Sequence, residues 1–365
     1  MKKIFAFLLS FLLCVGTCAC EKEGGETSIA PDVSEVSEIS EISAAGSESE
    51  SSEDAVSVPV TSEEVYEIPE EMDFEAKVNG NYIIACDQMK DRVVVYDMSK
   101  YDGVDLDNCA VWSYTPKSSS RVCVSGVKYR ENTVYGDVVL ICSSEGYAGV
   151  VTYPEGEEVW SVSYCGQNPH SIEILPTGDI VCASSNDKHI RLYRYGETKD
   201  YVDYELDSAH GVLWDPDKQL LWALGYSRLV SYKYEDGALI VKKEYPLPGY
   251  GGHALSADFS DPDKLMVTTG TAVYSFSKQK RRFTRIMQFS DSIKGYGNDP
   301  CGDTFYCFPN KGIGRKWEKK YFAEWCTDTI YFKAAGEDEF TEAKSSTCAF
   351  YKVYNFYGKY QPDRK

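Results

Sequence analysis

The chain has 365 residues, 43% of them hydrophobic and 13% aromatic, which is ample for one large core or two ordinary ones. Its composition excludes collagen and a coiled coil, and because the only long apolar run lies at the extreme N-terminus it also excludes a polytopic membrane protein. A formal net charge of −19 argues against nucleic acid as a partner, since that needs a basic face.

Lys2 and Lys3 precede an apolar stretch from Ile4 to Val15 that is short for a bilayer span and ends in Gly16-Thr17-Cys18-Ala19-Cys20. This pattern predicts a secretory signal over residues 1–20. It resembles a bacterial lipoprotein signal, which implies cleavage before a cysteine and a lipid on its thiol, with Cys20 after Ala19 as the first choice and Cys18 as the alternative. The implied location is the extracytoplasmic face of the cell membrane, with the lipid as the membrane contact. Residues 21–64 follow, rich in Ser and Glu, with thirteen acidic residues and one lysine, so that −12 of the net charge sits there. Such a tract cannot bury a core and predicts a disordered, self-repelling linker.

From residue 65 to the end, short runs of Val, Ile, Tyr and Phe are interrupted by Gly, Asp, Asn or Pro, with no sustained helical period; this is an all-β pattern. Three segments set the architecture. Each contains a histidine, a small residue, a strand, a Pro/Asp/Gly turn and a second strand: His170-Ser171 to Ser184, His210-Gly211 to Gly225, and His253-Ala254 to Gly270. The histidines are 40 and 43 residues apart, the period of a four-stranded propeller blade. Weaker copies begin at Ser125-Gly126 and Lys294-Gly295, and Tyr82 to Cys86 with Val93 to Tyr96 supply the later strands of one more blade. The count predicts a six-bladed β-propeller over residues 65–365. Two closures fit the pattern: the apolar stretch Phe350 to Tyr357 joins the first blade, or a strand within residues 65–78 completes the last.

The run Asn168-Pro169-His170-Ser171, then Leu175-Pro176-Thr177-Gly178-Asp179-Ile180-Val181 and Ala183-Ser184-Ser185, together with Ala85-Cys86-Asp87-Gln88, resembles an uncharacterised family of secreted bacterial propeller proteins, a domain of unknown function. The resemblance implies six blades and no established activity. A histidine opening each innermost strand is more distantly similar to arylsulfate sulfotransferases, whose propellers collect His and Arg in a central funnel.

Ten of the thirteen cysteines lie in the propeller region. Cys86, Cys142, Cys182 and Cys307 fall on second strands, where a thiol serves as a small buried hydrophobe. Any disulfide is expected in the last blade, from Cys301 with Cys307 or Cys326 with Cys348. No CxxC pair occurs, which weighs against a zinc ribbon or a thioredoxin-type site.

The first residues of the innermost strands converge near one mouth of a propeller's tunnel, and here they read Ser125, His170, His210, His253 and Lys294. Three of the chain's four histidines occupy this single repeat position, and His189 is left for a solvated outer strand. Three readings follow. His170, His210 and His253 ligate a divalent metal; the ring, with Lys294, binds an anion; or the histidines bond neighbouring blades in a structural role. Gln167, Asn168, Tyr250 and Tyr296, with Trp317, Tyr321, Phe322 and Trp325, offer further polar groups or sugar-stacking faces. The favoured function is a tethered propeller that binds an anionic small molecule or saccharide in its funnel. The alternative is an enzyme on acidic saccharides or sulfate esters, a metal-assisted lyase or hydrolase or a His-nucleophile transferase. In it His210 or His253 is base or nucleophile and Lys294 steadies developing negative charge. No GxSxG, HExxH, P-loop or dinucleotide motif is present.

Overall fold

A computed structural model describes residues 82–117, 123–289, 292–310 and 322–357. The signal, Cys20, the linker, residues 65–78, Trp317, Tyr321 and the Phe322 side chain lie outside the described residues. The strands form six antiparallel four-stranded sheets, the blades of a β-propeller. From the axis outward, the second blade is β4 (Val124–Thr133), β5 (Gly136–Ser143), β6 (Ala148–Thr152) and β7 (Glu158–Val162). The third is β8 (Pro169–Ile174), β9 (Ile180–Ser184), β10 (His189–Tyr193) and β11 (Tyr201–Glu205). The fourth is β12 (Gly211–Asp215), β13 (Leu220–Leu224), β14 (Arg228–Glu235) and β15 (Ala238–Pro246). The fifth is β16 (Leu255–Ala257), β17 (Lys264–Thr268), β18 (Ala272–Ser277) and β19 (Arg282–Gln288). The sixth is β20 (Gly295–Asn298), β21 (Thr304–Cys307), β22 (Thr329–Lys333) and β23 (Thr341–Lys344).

The first blade takes its innermost strand from the other end of the chain. β24 (Phe350–Asn355) pairs antiparallel with β1 (Tyr82–Asp87), followed outward by β2 (Arg92–Asp97) and β3 (Ala110–Tyr114). Ile83 faces Asn355, Ala85 faces Val353, and a bulge precedes the Asp87–Phe350 pair. Of the two closures that fit the sequence, the C-terminal strand is the one used, and the sixth blade is complete without a strand from upstream. The joint is apolar as well as hydrogen-bonded: Ile83, Ala85, Val94, Phe350 and Val353 share one buried cluster with Phe305, Cys307 and Ile330 of the sixth blade.

Burial falls from the axis outward. β8 and β9 are buried at every position, whereas β11 is almost wholly exposed, so the outer strands carry the polar residues. A second repeat reinforces the blades: Asp179, Asp263 and Asp303 each stand at the start of a second strand. Their carboxylates accept the backbone N–H of Tyr195, Gln279 and Ala335 at 2.7–2.8 Å, in each case two residues beyond the end of the third strand. The residue after each ring position is small because the blades crowd at the axis. A Cβ on Gly126 would lie 2.6 Å from the His170 carbonyl oxygen, and one on Gly295 would lie 2.7 Å from that of Val353.

All ten described cysteines are free thiols, so neither pairing expected in the last blade is present. Cys86, Cys142, Cys182 and Cys307 are fully buried, as expected of small hydrophobes, and Cys301 alone is exposed.

Two outcomes test this architecture. Ending the chain at Thr347 removes β24 and should abolish the cooperative thermal transition seen by circular dichroism; a soluble product that still melts cooperatively would contradict ring closure. Gly295→Ala forces the sixth blade against the Val353 backbone and should lower unfolding free energy by about 1–3 kcal/mol in a denaturant titration.

Candidate functional site

The predicted ring forms, although not at an open mouth. The backbone N–H groups of His210, His253 and Lys294 each donate to the last residues of the neighbouring second strand, at Leu224, Thr268 and Cys307 (2.8–3.0 Å). These bonds place three residues from three blades at the same height on the axis. The imidazoles of His170 and His210 stack with centroids 4.3 Å apart and planes 7° from parallel, and His253 meets His210 edge-on at 4.7 Å. Lys294 Nζ lies 3.0 Å from His253 Nε2. Ser125 belongs to the same tier but turns its hydroxyl to the Pro169 carbonyl, a bond between blades.

The first blade supplies the residues that the sequence reading missed. β24 carries Tyr351 and Lys352 to the axis. The Tyr351 hydroxyl is 3.2 Å from His170 Nδ1, and Lys352 Nζ donates to the carbonyl oxygens of His170 (3.0 Å) and His253 (3.2 Å). A lysine within the apolar run Phe350 to Tyr357 was the available signal, but its meaning depended on knowing which strand closes the ring.

Burial governs the electrostatics. Lys352 is 0% exposed and His170 2%, while His210 and His253, at 7% and 8%, are the imidazoles that solvent touches most. Burial first, and then the charges of Lys352 and Lys294, push His210 down to about 3; the same causes, with the neighbouring imidazoles, hold His170 and His253 well below the ordinary histidine range. Burial likewise pushes Lys352 down to about 8. Its strongest electrostatic neighbours are Cys142, Cys86, Lys294 and Lys128, with no carboxylate among them.

The next layer along the axis is different. Lys128 donates to Ser171 Oγ (3.1 Å) and the Ile172 carbonyl (2.9 Å) and faces the buried Glu173 at 3.4 Å; Glu173 is also clamped by Arg130 at 2.7 and 2.9 Å. Burial alone would raise the Glu173 carboxyl, but Arg130 and Lys128 outweigh it and keep it ionised. In that layer a carboxylate answers the cations, whereas Lys352 sits beside imidazoles held neutral. Three nitrogens of this upper tier, His170 Nε2, His210 Nε2 and His253 Nδ1, are buried and meet no hydrogen-bond partner.

The metal set His170, His210 and His253 is not arranged for a metal. Ring-nitrogen lone pairs lie in the ring plane, so two imidazoles stacked 7° from parallel cannot both aim at one ion, and an ammonium already occupies His253 Nε2. Among the described residues no three His, Cys, Asp or Glu side chains form a metal-binding group.

Several outlying expectations are corrected. His189 is buried, its Nε2 3.4 Å from the Cys165 carbonyl and 3.9 Å from Asp203 Oδ1. Tyr296 packs in a core cluster with Met266 and Ile293, and Trp325 Nε1 donates to Gln88 Oε1 at 2.7 Å inside the protein. Asn168 bonds Ser185. Gln167 and Tyr250 are exposed, as a polar group and a stacking face would be, and Tyr250 stacks on Tyr226. A surface cleft of about 370 Å³ between the second and third blades, lined by Tyr135, Trp160, Tyr195 and Glu158, was not foreseen, since its residues are scattered in sequence.

A sequence model described as a Family of unknown function (DUF6528) matches residues 39–308. No curated protein matches. Among solved structures, the 1.35 Å crystal structure of a protein of unknown function from Bacteroides caccae is similar, with a TM-score of 0.52 and 12% sequence identity, covering 75% of this chain and 98% of that one. At that identity the likeness shows the fold alone.

Burying three imidazoles as neutral groups has a cost in acid. Below an unfolded value near 6.5 the unfolded chain takes up protons that the folded one refuses, so stability is full above about pH 6.5 and should fall as pH drops towards 3, by at most roughly 1.4 kcal/mol per pH unit per histidine. Urea titrations from pH 7 to 4.5 should show this slope, and it should be shallower by about one proton in His210→Gln. Stability flat over that range would contradict neutral burial.

Proposed function

The chain belongs to the DUF6528 family of unknown function, and on that premise we propose that it is a membrane-tethered, extracytoplasmic propeller whose central channel binds a small anionic or acidic-saccharide ligand. The observation that carries this reading is the buried ammonium of Lys352, without a carboxylate among its strongest electrostatic neighbours, beside three imidazole nitrogens without partners. A buried cation and unsatisfied polar atoms each cost stability, and an anion offsets the charge and accepts from a nitrogen that carries a hydrogen. His210 and His253 form the entry side, because they are the least buried residues of the cluster. The tether rests on the lipoprotein-like signal around Cys20 and on the acidic spacer that gives the domain reach.

The transferase reading has less support. His210 has the orientation of a base, its Nδ1 bonded to the Ser208 carbonyl at 2.8 Å with Nε2 left over, but a group pushed down to about 3 is a weak base at neutral pH.

Two experiments test the proposal. Sulfate and D-glucuronate should bind the full chain in calorimetric titrations, with affinity steady from pH 6.5 to 8 and falling above about 8 as Lys352 loses its proton. Lys352→Met or Lys294→Gln should weaken binding at least about tenfold. Affinity that rises above pH 8, or that ignores both lysines, would contradict the anion site. For the tether, labelled palmitate should enter the wild type and Cys18→Ala but not Cys20→Ala; labelling that survives Cys20→Ala would refute the assignment.

A further inference from the structure

The partners of each imidazole fix where its proton sits, and this constrains the ligand beyond its charge. His210 Nδ1 faces the Ser208 carbonyl oxygen at 2.8 Å, with the Ser208 hydroxyl further off at 3.2 Å. A carbonyl only accepts, so Nδ1 carries the hydrogen and the unpartnered Nε2 presents a lone pair. At His253 the order is reversed. The Lys294 ammonium at 3.0 Å only donates, so Nε2 accepts and the unpartnered Nδ1 carries the hydrogen. His170 takes either tautomer against the Tyr351 hydroxyl. The channel therefore holds a buried acceptor at His210 and a buried donor at His253, on rings whose centroids are 4.7 Å apart, beside Lys294 and Lys352.

A simple anion satisfies only half of this arrangement. It accepts from His253 Nδ1–H but turns a lone pair towards the lone pair of His210, which is repulsive unless a proton is brought in. A ligand that carries a hydroxyl beside its carboxylate satisfies both halves. We infer that the channel's ligand is a hydroxycarboxylate, whose carboxylate meets His253 Nδ1–H while the neighbouring hydroxyl donates to His210 Nε2 and the lysine charges balance its own. Sugar acids belong to this class. The inference rests on the anion reading above and adds to it the requirement for a donor on the ligand.

The test compares glycolate with acetate, which differ by that hydroxyl, using sulfate as the control for the anion site, all on the full chain at about pH 7. Glycolate should bind at least about tenfold more tightly than acetate, since acetate leaves a buried acceptor unpaired. Titrations in two buffers of different ionisation heat should show no net proton uptake with glycolate. His210→Phe keeps a ring to stack on His170 but removes the acceptor, so it should bring the ratio to about one; should that variant fail to fold, the wild-type ratio and proton count still decide. Equal binding of glycolate and acetate, or uptake of a proton with glycolate, would overturn the hydroxyl requirement and leave the anion site standing. Absence of binding by glycolate, acetate and sulfate alike would overturn both.

Discussion

Lys352 joins the fold to the site. It lies on the strand that closes the ring, so the pairing that removes the open edge of the sheet also drives an ammonium onto the axis. There it bonds backbone carbonyls of the third and fifth blades, at His170 and His253, which ties blades that are remote in sequence to the chain's last strand. The positive field of that ammonium and of Lys294, added to burial, keeps the three imidazoles neutral. Removing the closing strand therefore reopens the edge of β1 and takes the Lys352 charge off the axis together.

The two layers of the axis show how context sets the role of similar groups. Lys128 and Lys352 are both buried lysines pushed down to about 8. Lys128 is answered by Glu173 and by carbonyls of the third and fourth blades, at Ile172 and Val212, and so acts as a strut between blades. Lys352 has carbonyls but no such carboxylate, and its layer contains the three nitrogens without partners. A structural histidine bonds its neighbours at both nitrogens or turns one to water. His170, His210 and His253 each bond through one nitrogen and leave the other, buried, without a partner from the protein.

Much of this was legible from the chain alone. The histidine spacing of 40 and 43 residues, the small residue after each ring position and the Asp-Pro turns identify the blades, because a repeat places equivalent residues at equivalent heights. What the spacing could not supply was depth. The crowding visible at Gly126 and Gly295 draws the inner strands close together, so residues expected at an open mouth are buried and the imidazoles are neutral. Nor could it supply the sixth position of the ring, since Tyr351 and Lys352 lie on a strand whose partner is some 270 residues earlier. The stacking of His170 on His210, which breaks up the metal set, depends on side-chain angles that no spacing encodes.

The central claim, that the axis carries an anion, is most directly tested by anomalous diffraction from crystals of the protein grown with bromide. The account predicts a bromide peak in the channel, within hydrogen-bonding reach of His253 Nδ1 or of Lys352 Nζ. Bromide confined to surface lysines, with only water along the axis, would contradict it.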